Sequence, residues 1–563
     1  MFHFAGEGQI FEGGELLAPL ILNPGQEQAF QEVKEAFSNE KVVLLHGVTS
    51  SGKTEIYIHL LQEAISKGKQ ALYLVPEIAL TTQVINRLQK HFGQHLMVYH
   101  SRFNDQERVE VWNKVLDHQY QTKSDGQVII GARSAVFLPF SRLDLIIIDE
   151  EHDSSYKQTD PSPRYNARDS GVMLASMMKA NVLLGSATPS LESYYNALAK
   201  KYAMVTLEKR FGEMIMPEVT LVDVRDALKR KQMHSHFSSK LLEMMKSALE
   251  GKEQVILFQN RRGFAPVLEC KNCSWVPHCI NCDVSLTLHK QHDQLRCHYC
   301  GYSIPPPSSC NACGSNDLRM KGFGTEKVEE ELQAFFPEAS IARLDHDTAK
   351  SKRGFHKLMV DFENGDIDVL VGTQMVTKGL DFEKVSLVGI LNADQLLNYP
   401  DFRAHERSFQ LMEQVSGRAG RKKIPGKVLI QTYNTSNAIL QYVLNHDFKG
   451  FYNHELVDRN KFDYPPYYRL IECTVKHKDA NEVERASKLL AAELRSVFGK
   501  RVLGPTQPTI ARIRNYYLRQ ILIKLERKLS VNQVKQRLQK ALDFYQKEPA
   551  NKSVVLQVDV DPQ

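Results

Sequence analysis

A run of β-branched and leucine residues, Val42 to Leu45, empties into Gly47-Val48-Thr49-Ser50-Ser51-Gly52-Lys53-Thr54. This fits G-x-x-x-x-G-K-[ST] and constrains the fold more than any other stretch. The apolar run reads as a buried parallel strand, and EIYIHLLQEAI after it as a helix. Glycines let the backbone amides turn inward around β- and γ-phosphates, and the helix adds its positive N-terminal end. Lys53 supplies a point charge and Thr54 a hydroxyl for Mg²⁺. A glycine turn that matches by accident is the competing reading, and the flanking strand and helix argue against it. The prediction is a nucleoside triphosphate site. Just upstream, Leu22-Asn23-Pro24-Gly25-Gln26 leads into a helix, and the Gln26 amide, donor and acceptor together, can grip an adenine edge.

From Gln70 the pattern alternates strand and helix through ALYLVPE, IALTTQVINRLQKHF, LMVYHS, QVIIGA and LDLIIID. Such alternation gives a parallel sheet with crossover helices. The last of these strands ends in Asp149-Glu150-Glu151-His152. Carboxylates at the carboxyl end of a strand in the phosphate-loop sheet sit where Mg²⁺ and an attacking water must be. Asp149 is assigned to the metal through water, and Glu150 to the base that orients or deprotonates the nucleophilic water. Acids that merely cap the next helix are the plainer alternative. The following loop carries Tyr156, Lys157, Arg164, Tyr165 and Arg168, aromatics interleaved with basic residues. That mixture suits stacking on unpaired bases while holding phosphates. The plainer reading is a solvated loop with its tyrosines packed underneath. Further on, the small hydroxyl residues of Gly185-Ser186-Ala187-Thr188-Pro189-Ser190 could relay between the two sites.

A second α/β unit follows, with strands at QVILFQN, IARLDHD, DIDVLVGTQ and VSLVGILNAD. Asp381, closing Lys378-Gly379-Leu380-Asp381, is a further candidate nucleotide contact. Gln414 to Arg421 (QVSGRAGR) reads as helical, so that Arg418 and Arg421 share one face. Guanidinium groups suit a transferring γ-phosphate, and such arginine fingers carry about 10³–10⁵ in rate.

Of nine cysteines, eight fall in Cys-x-x-Cys pairs: Cys270/Cys273, Cys279/Cys282, Cys297/Cys300 and Cys310/Cys313. This is metal spacing, and a reducing cytoplasm suits it. Four knuckles make two tetrahedral Cys₄ zinc sites. Sequential pairing would close Cys273 to Cys279 over only five residues, whereas pairing the inner two leaves fourteen between Cys282 and Cys297. The expected arrangement is nested, the inner four on one ion and the outer four on the other, with both zincs structural. An iron–sulfur cluster also takes Cys₄, but two CxxC pairs favour zinc. His278, His289, His292 and His298 are spare candidates, and Cys473 belongs to a core strand. Near the C-terminus, Lys500, Arg501, Arg512, Arg514, Arg519 and Lys524 lie in a stretch without an acid. With Tyr516 and Tyr517 they offer a DNA-contacting surface, of which Arg512, Arg514 and Arg519 are the named candidates. A solvated face is the alternative. No run of about 18 apolar residues appears, so nothing is expected to span a membrane, and MFHFAGEGQI shows no secretory signal. With 72 basic and 66 acidic residues, the charge of +6 decides nothing about partners.

Phosphate loop, DEEH, SATPS, GTQMVTKGLDF and QVSGRAGR, in this order and spacing, resemble a superfamily 2 helicase. The eight-cysteine insertion makes the chain similar to the PriA family of primosomal replication-restart helicases, from about residue 19 to the end. The resemblance implies an α/β fold of two tandem RecA-like lobes: residues 19–210 with ATP, and 211–440 with a zinc-binding insertion at 265–320. A C-terminal α+β DNA-binding domain at 441–563 completes it, and 1–18 is a remnant. It implies a 3′→5′ ATP-dependent DNA helicase that binds stalled or abandoned forks and initiates primosome assembly. A DNA-stimulated translocase or a fork-binding scaffold is the alternative. Nucleotide roles follow for Gln26, Lys53, Thr54, Asp149, Glu150, Arg418 and Arg421, and a DNA-responsive role for the loop from Tyr156 to Arg168. The implied cofactors are ATP, Mg²⁺ and two Zn²⁺. The implied partners are forked and single-stranded DNA, single-strand-binding protein and other primosome proteins, around a cytoplasmic monomer. The family normally begins with a DNA 3′-end-binding domain and a winged helix, and the expectation is that both are missing.

Overall fold

The computed structural model describes residues 17–563 apart from 77–81, 101–102, 119–125, 211–215, 260–266, 274, 283, 290–293, 298–299, 321–324, 345–351, 374–381, 383 and 422–423. The chain divides into two units, Met1–Met214 with Lys378–Leu380, and Ile215–Thr377 with Asp381–Gln563.

The first unit runs α1 (Pro24–Asn39), β1 (Val42–Gly47), α2 (Lys53–Ser66), β2 (Gln70–Leu74), α3 (Thr82–Phe92), β3 (Leu96–Tyr99), α4 (Asp105–Asp117) and β4 (Gln127–Gly131). It continues with β5 (Leu143–Asp149), α5 (Ala167–Met178), β6 (Asn181–Ser186), α6 (Leu191–Leu198) and β7 (Ala203–Leu207). The described strands form one parallel sheet in the order β3-β4-β2-β5-β6-β1-β7. Its central strands are continuous apolar runs because both faces are covered, and Leu44, Ile146 and Leu183 are wholly buried. The register sets the site. β1 pairs with β6 so that His46 faces Ser186, and β5 pairs with β6 so that Asp149 faces Gly185. Three carboxyl ends therefore meet at the phosphate loop, where ligands gather in open α/β sheets.

The second unit carries another parallel sheet. Its order is Ile341–Leu344, Val369–Gly372, Gln254–Phe258, Val385–Ile390, Lys427–Thr432 and Glu218–Asp223. The cysteine-rich insertion departs after Gln254–Phe258. The strand Leu268–Cys270 pairs with Leu318–Met320 to close it, and three short antiparallel strands lie inside. At the end of the chain, Tyr468–His477 lies between Tyr516–Glu526 and Val555–Val560 in an antiparallel sheet backed by the helices Ala480–Phe498 and Val531–Lys547.

One helical expectation needs correction. The helix Ala404–Ser416 stops at Gly417, and Gly420–Arg421 pairs as a strand with Ile424–Pro425. Two glycines within four residues end it, so Arg418 and Arg421 do not share a helix face. Beyond the sheet, two short helices follow one another, Ala438–Leu444 and Phe448–Lys461. His446 takes a φ of +50° between them, and Asp447 caps the second by accepting from the Gly450 amide.

Candidate nucleotide site and metal centres

The phosphate loop is built tightly. A Cβ on Gly47 would meet Ser51 Oγ at 2.8 Å, and Gly52 and Ser50 take φ of +81° and +61°. Lys53 is buried at the start of α2, and its Nζ donates to the carbonyls of Gly47 at 2.8 Å and Val48 at 3.4 Å. The Ser51 hydroxyl, also buried, has no hydrogen-bond partner among the described residues. An orphaned hydroxyl and a lysine folded onto its own loop fit a cradle made for phosphate oxygens. Gln26 does something other than face outward. Its side chain is 1% exposed and forms a capping box with Asn23, while its Nε2 donates to the carbonyls of Ser51 and Gly52, both at 3.3 Å. The amide braces the loop from behind, because helix α1 needs it as a cap.

Asp149 closes β5. Tyr57 on α2 donates to its Oδ1 at 3.0 Å, and Tyr73 on β2 to its Oδ2 at 3.4 Å. Burial, with the neighbouring Glu150, lifts its carboxyl to about 6 against the pull of Lys53. Glu150 holds a left-handed φ of +48°, so the chain turns sharply straight after the strand.

Sequence reasoning passed over Glu151, which is 2% exposed. It accepts from Arg168 Nη1 at 3.1 Å, the Ser190 amide at 2.7 Å, and the hydroxyls of Ser190 at 3.0 Å and Ser193 at 2.7 Å. His152 Nδ1 lies 2.8 Å from Ser186 Oγ, which also accepts from the Thr188 amide. His46 Nε2 sits 3.2 Å from the Ala187 carbonyl, and burial followed by the Lys53 charge lowers its pKa to about 4. DEEH and SATPS are thus one hydrogen-bonded body at the mouth of the phosphate loop. A glutamate beside two other acids carries no spelling of its own, so only the fold separates it from Asp149 and Glu150.

The eight thiols fall into two groups, Cys270, Cys273, Cys310 and Cys313, and Cys279, Cys282, Cys297 and Cys300. Within each, the sulfurs lie within 4.8 Å of one another, and Cys270–Cys313, Cys273–Cys310 and Cys279–Cys300 approach to 3.4–3.6 Å. Four soft sulfurs with no carboxylate among them suit a closed tetrahedral ion. His278 belongs to neither group, and the side chains of His289, His292 and His298 lie outside the described residues.

In the comparisons with known proteins, a DEAD/DEAH box helicase model matches residues 23–197, and a helicase conserved C-terminal domain matches 321–423. A PriA DNA helicase Cys-rich region model matches 279–305, and a primosomal protein N C-terminal domain matches 460–563. The replication restart protein PriA of Bacillus subtilis is 42% identical over 548 residues, covering 97% of this chain and 67% of the relative. The chain belongs to the PriA replication restart family. PriA of Synechocystis is 40% identical over 96% of this chain and 64% of its own length, and PriA of Haemophilus influenzae 40% over 97% and 72%. The chain spans about two thirds of the length of these relatives. Family membership and both helicase models make it an ATP-dependent DNA helicase chain.

Several residues expected to touch DNA in this PriA-family chain are occupied otherwise. Tyr156 is 1% exposed, and its hydroxyl donates to the carbonyls of Leu74 at 3.0 Å and Asp149 at 2.6 Å. It locks the end of β5 to β2 and offers no face to a base. Lys157 is buried and donates to the Arg164 carbonyl, and Arg168 is buried between Glu151 and Asp169. These three are corrected to structural residues. Arg164 and Tyr165 stay partly exposed on the loop, and Tyr165 meets the half-exposed Phe137 edge-on at 4.6 Å. Arg519 pairs with Glu484 at 2.7 Å, whereas Arg512 and Arg514 stand exposed on a hairpin whose turn takes positive φ at Arg514 and Asn515. Arg512 stacks its guanidinium 4.9 Å over Tyr517. Arg418 follows the helix end, half-buried; the Arg421 side chain and Asp381 lie outside the described residues.

Proposed function

We propose that this chain hydrolyses ATP at the mouth of β1, β5 and β6 and uses the cycle to move 3′→5′ along DNA and separate strands at abandoned forks. The observation that carries the site is the pairing of Asp149 with Gly185, which sets the acid beside the phosphate loop. Polarity, fork preference and primosome assembly with single-strand-binding protein rest on the family resemblance, as do a monomeric state and a cytoplasmic location. No helix among the described residues is long and apolar enough to cross a membrane.

In this reading the amides from Gly47 to Thr54, with Lys53, hold the β- and γ-phosphates. Thr54 and Asp149 would hold magnesium, whose charge draws electron density from the transferring phosphoryl group. Glu150, turned off the strand end by its left-handed φ, orients the attacking water and takes its proton. Arg418, Arg421 and Asp381 are assigned to the nucleotide on their chemistry and the resemblance, and Gln26 to the adenine edge through the carbonyl lone pair left beyond its cap. Arg164, Tyr165, Arg512 and Arg514 are the DNA contacts retained. The two thiol groups would each hold one structural zinc. The domain limits proposed are 19–210, 211–440 with 265–320 inserted, and 441–563.

ATPase activity against single-stranded, duplex and forked DNA, with an unwinding assay beside it, tests the whole reading. Lys53→Ala is expected to abolish hydrolysis and unwinding while DNA binding persists. A wild-type chain that hydrolyses ATP without response to any DNA, or responds without unwinding, overturns the strand-separating assignment.

A further inference from the structure

The mechanism above leaves Tyr57 unused, yet three parts of the site converge on its hydroxyl. Tyr57 lies four residues after Lys53 on α2, on the same helix face, and is wholly buried. Its hydroxyl donates to Asp149 Oδ1 at 3.0 Å. The same oxygen fills the place where residue 185 would carry a side chain, since a Cβ built on Gly185 would lie 1.8 Å from it and 2.9 Å from Cζ. Gly185 is the strand partner of Asp149, its carbonyl accepts from the Glu151 amide, and it opens the SATPS segment. Tyr73, edge-on to Tyr57 at 5.8 Å, donates to the other carboxylate oxygen. Both oxygens of Asp149 are therefore held by phenols, one from the helix that begins with the phosphate-loop lysine. A carboxylate that must serve a metal is oriented by such partners, and their loss typically weakens the metal 10–100-fold. The glycine is required here by a close approach, because its φ is not positive.

We infer that Tyr57 is a positioning residue, its hydroxyl seated between Asp149 and Gly185, which fixes the carboxylate for the divalent cation. This rests on the reading of Asp149 as the metal carboxylate. The position also couples two motifs: any shift of the Gly185 backbone toward α2 displaces the hydroxyl, and with it the carboxylate.

The test uses the full chain and a fluorescent ATP analogue, titrated with Mg²⁺ and separately in EDTA. Tyr57→Phe is expected to raise the Mg²⁺ concentration for half-maximal binding roughly 10-fold. Affinity in EDTA and the DNA-binding affinity should stay unchanged. Gly185→Ala, which keeps Tyr57 but evicts its hydroxyl, is expected to give a similar shift. The double variant should show less than the product of the two single effects. Asp149→Asn separates the two readings. If it abolishes the Mg²⁺ dependence while both Tyr57→Phe and Gly185→Ala titrate like wild type, the inference about Tyr57 fails alone. If Asp149→Asn itself titrates like wild type, the metal reading of Asp149 fails, and the inference goes with it.

Discussion

Glu151 shows how little a motif's spelling says about its members. Asp149 and Glu150 end at the phosphate loop, while the third acid is turned inward and satisfied by two serines and an arginine. A buried carboxylate and a buried guanidinium are each costly alone. Glu151→Ala is expected to destabilise the first unit by on the order of 3 kcal/mol, with Glu151→Gln costing less because Ser190 and Ser193 keep a partner. Urea unfolding followed by hydrogen exchange over residues 167–198 measures it, and equal stability of Glu151→Ala and wild type would refute it. The places of the glycines, lysine and strand-end acids in the fold were legible, because a strand, a tight turn and a helix in that order fix them. Tyr156 and Arg168 were misread for a physical reason: a loop's composition lists its side chains but not the direction each one points. Tyr57 left a faint signal, a phenol inside an apolar helix, which must find a partner for its hydroxyl.

At the scale of elements, the nested order of the cysteine pairs was legible from loop lengths, because a five-residue link cannot close a Cys₄ site comfortably. What sequence could not show is which group leans on the rest of the second unit. The inner one does. Tyr464 donates to the Cys282 carbonyl at 3.1 Å, and Thr506 to the Cys297 carbonyl at 3.3 Å. Lys524 lies 3.7 Å over the Tyr464 ring, and burial lowers its pKa. The outer group is held by its own strand pair, with Cys313 exposed. Metal analysis is expected to find two zincs per chain. Cys282→Ser should sharply increase proteolysis between residues 464 and 526, whereas Cys273→Ser should leave that region as resistant as wild type. Equal sensitivity of the two variants would contradict the asymmetry. The misjudged helix end at Gly417 belongs to this scale too, since propensity places an end only within a few residues and glycine decided it.

Across the molecule, the parallel sheets were readable from alternating apolar runs, but not the buried charges that join the second unit's parts. Arg459 is 1% exposed and bonds Glu455 at 3.1 Å and Glu406 at 2.9 Å, linking Phe448–Lys461 to Ala404–Ser416. Phe402 stacks flat on Tyr464 at 4.3 Å, and the guanidiniums of Arg403 and Arg459 each lie 4.8 Å from the Phe402 ring. Although burial opposes it, His405 and Arg459 hold the Glu455 carboxyl down to about 2 from 4.5. A lowered folded pKa contributes stability that is complete above the unfolded value and lost as pH falls through the folded one. The second unit should therefore lose up to about 3 kcal/mol between roughly pH 4.5 and 2 on this account. Glu455→Gln should flatten that stretch of the stability–pH curve, and parallel curves for variant and wild type would disprove it. The same junction has a mechanical meaning. One phenol on the ribbon, one aromatic stack and one arginine clasping two helices knot ribbon, helices and terminal domain together at one place. Under the ATP-driven cycle proposed above, a tilt of the sheet that precedes Ala404–Ser416 would have to pass through this knot to reach Arg512 and Arg514, which would make the exposed tip the far end of a lever.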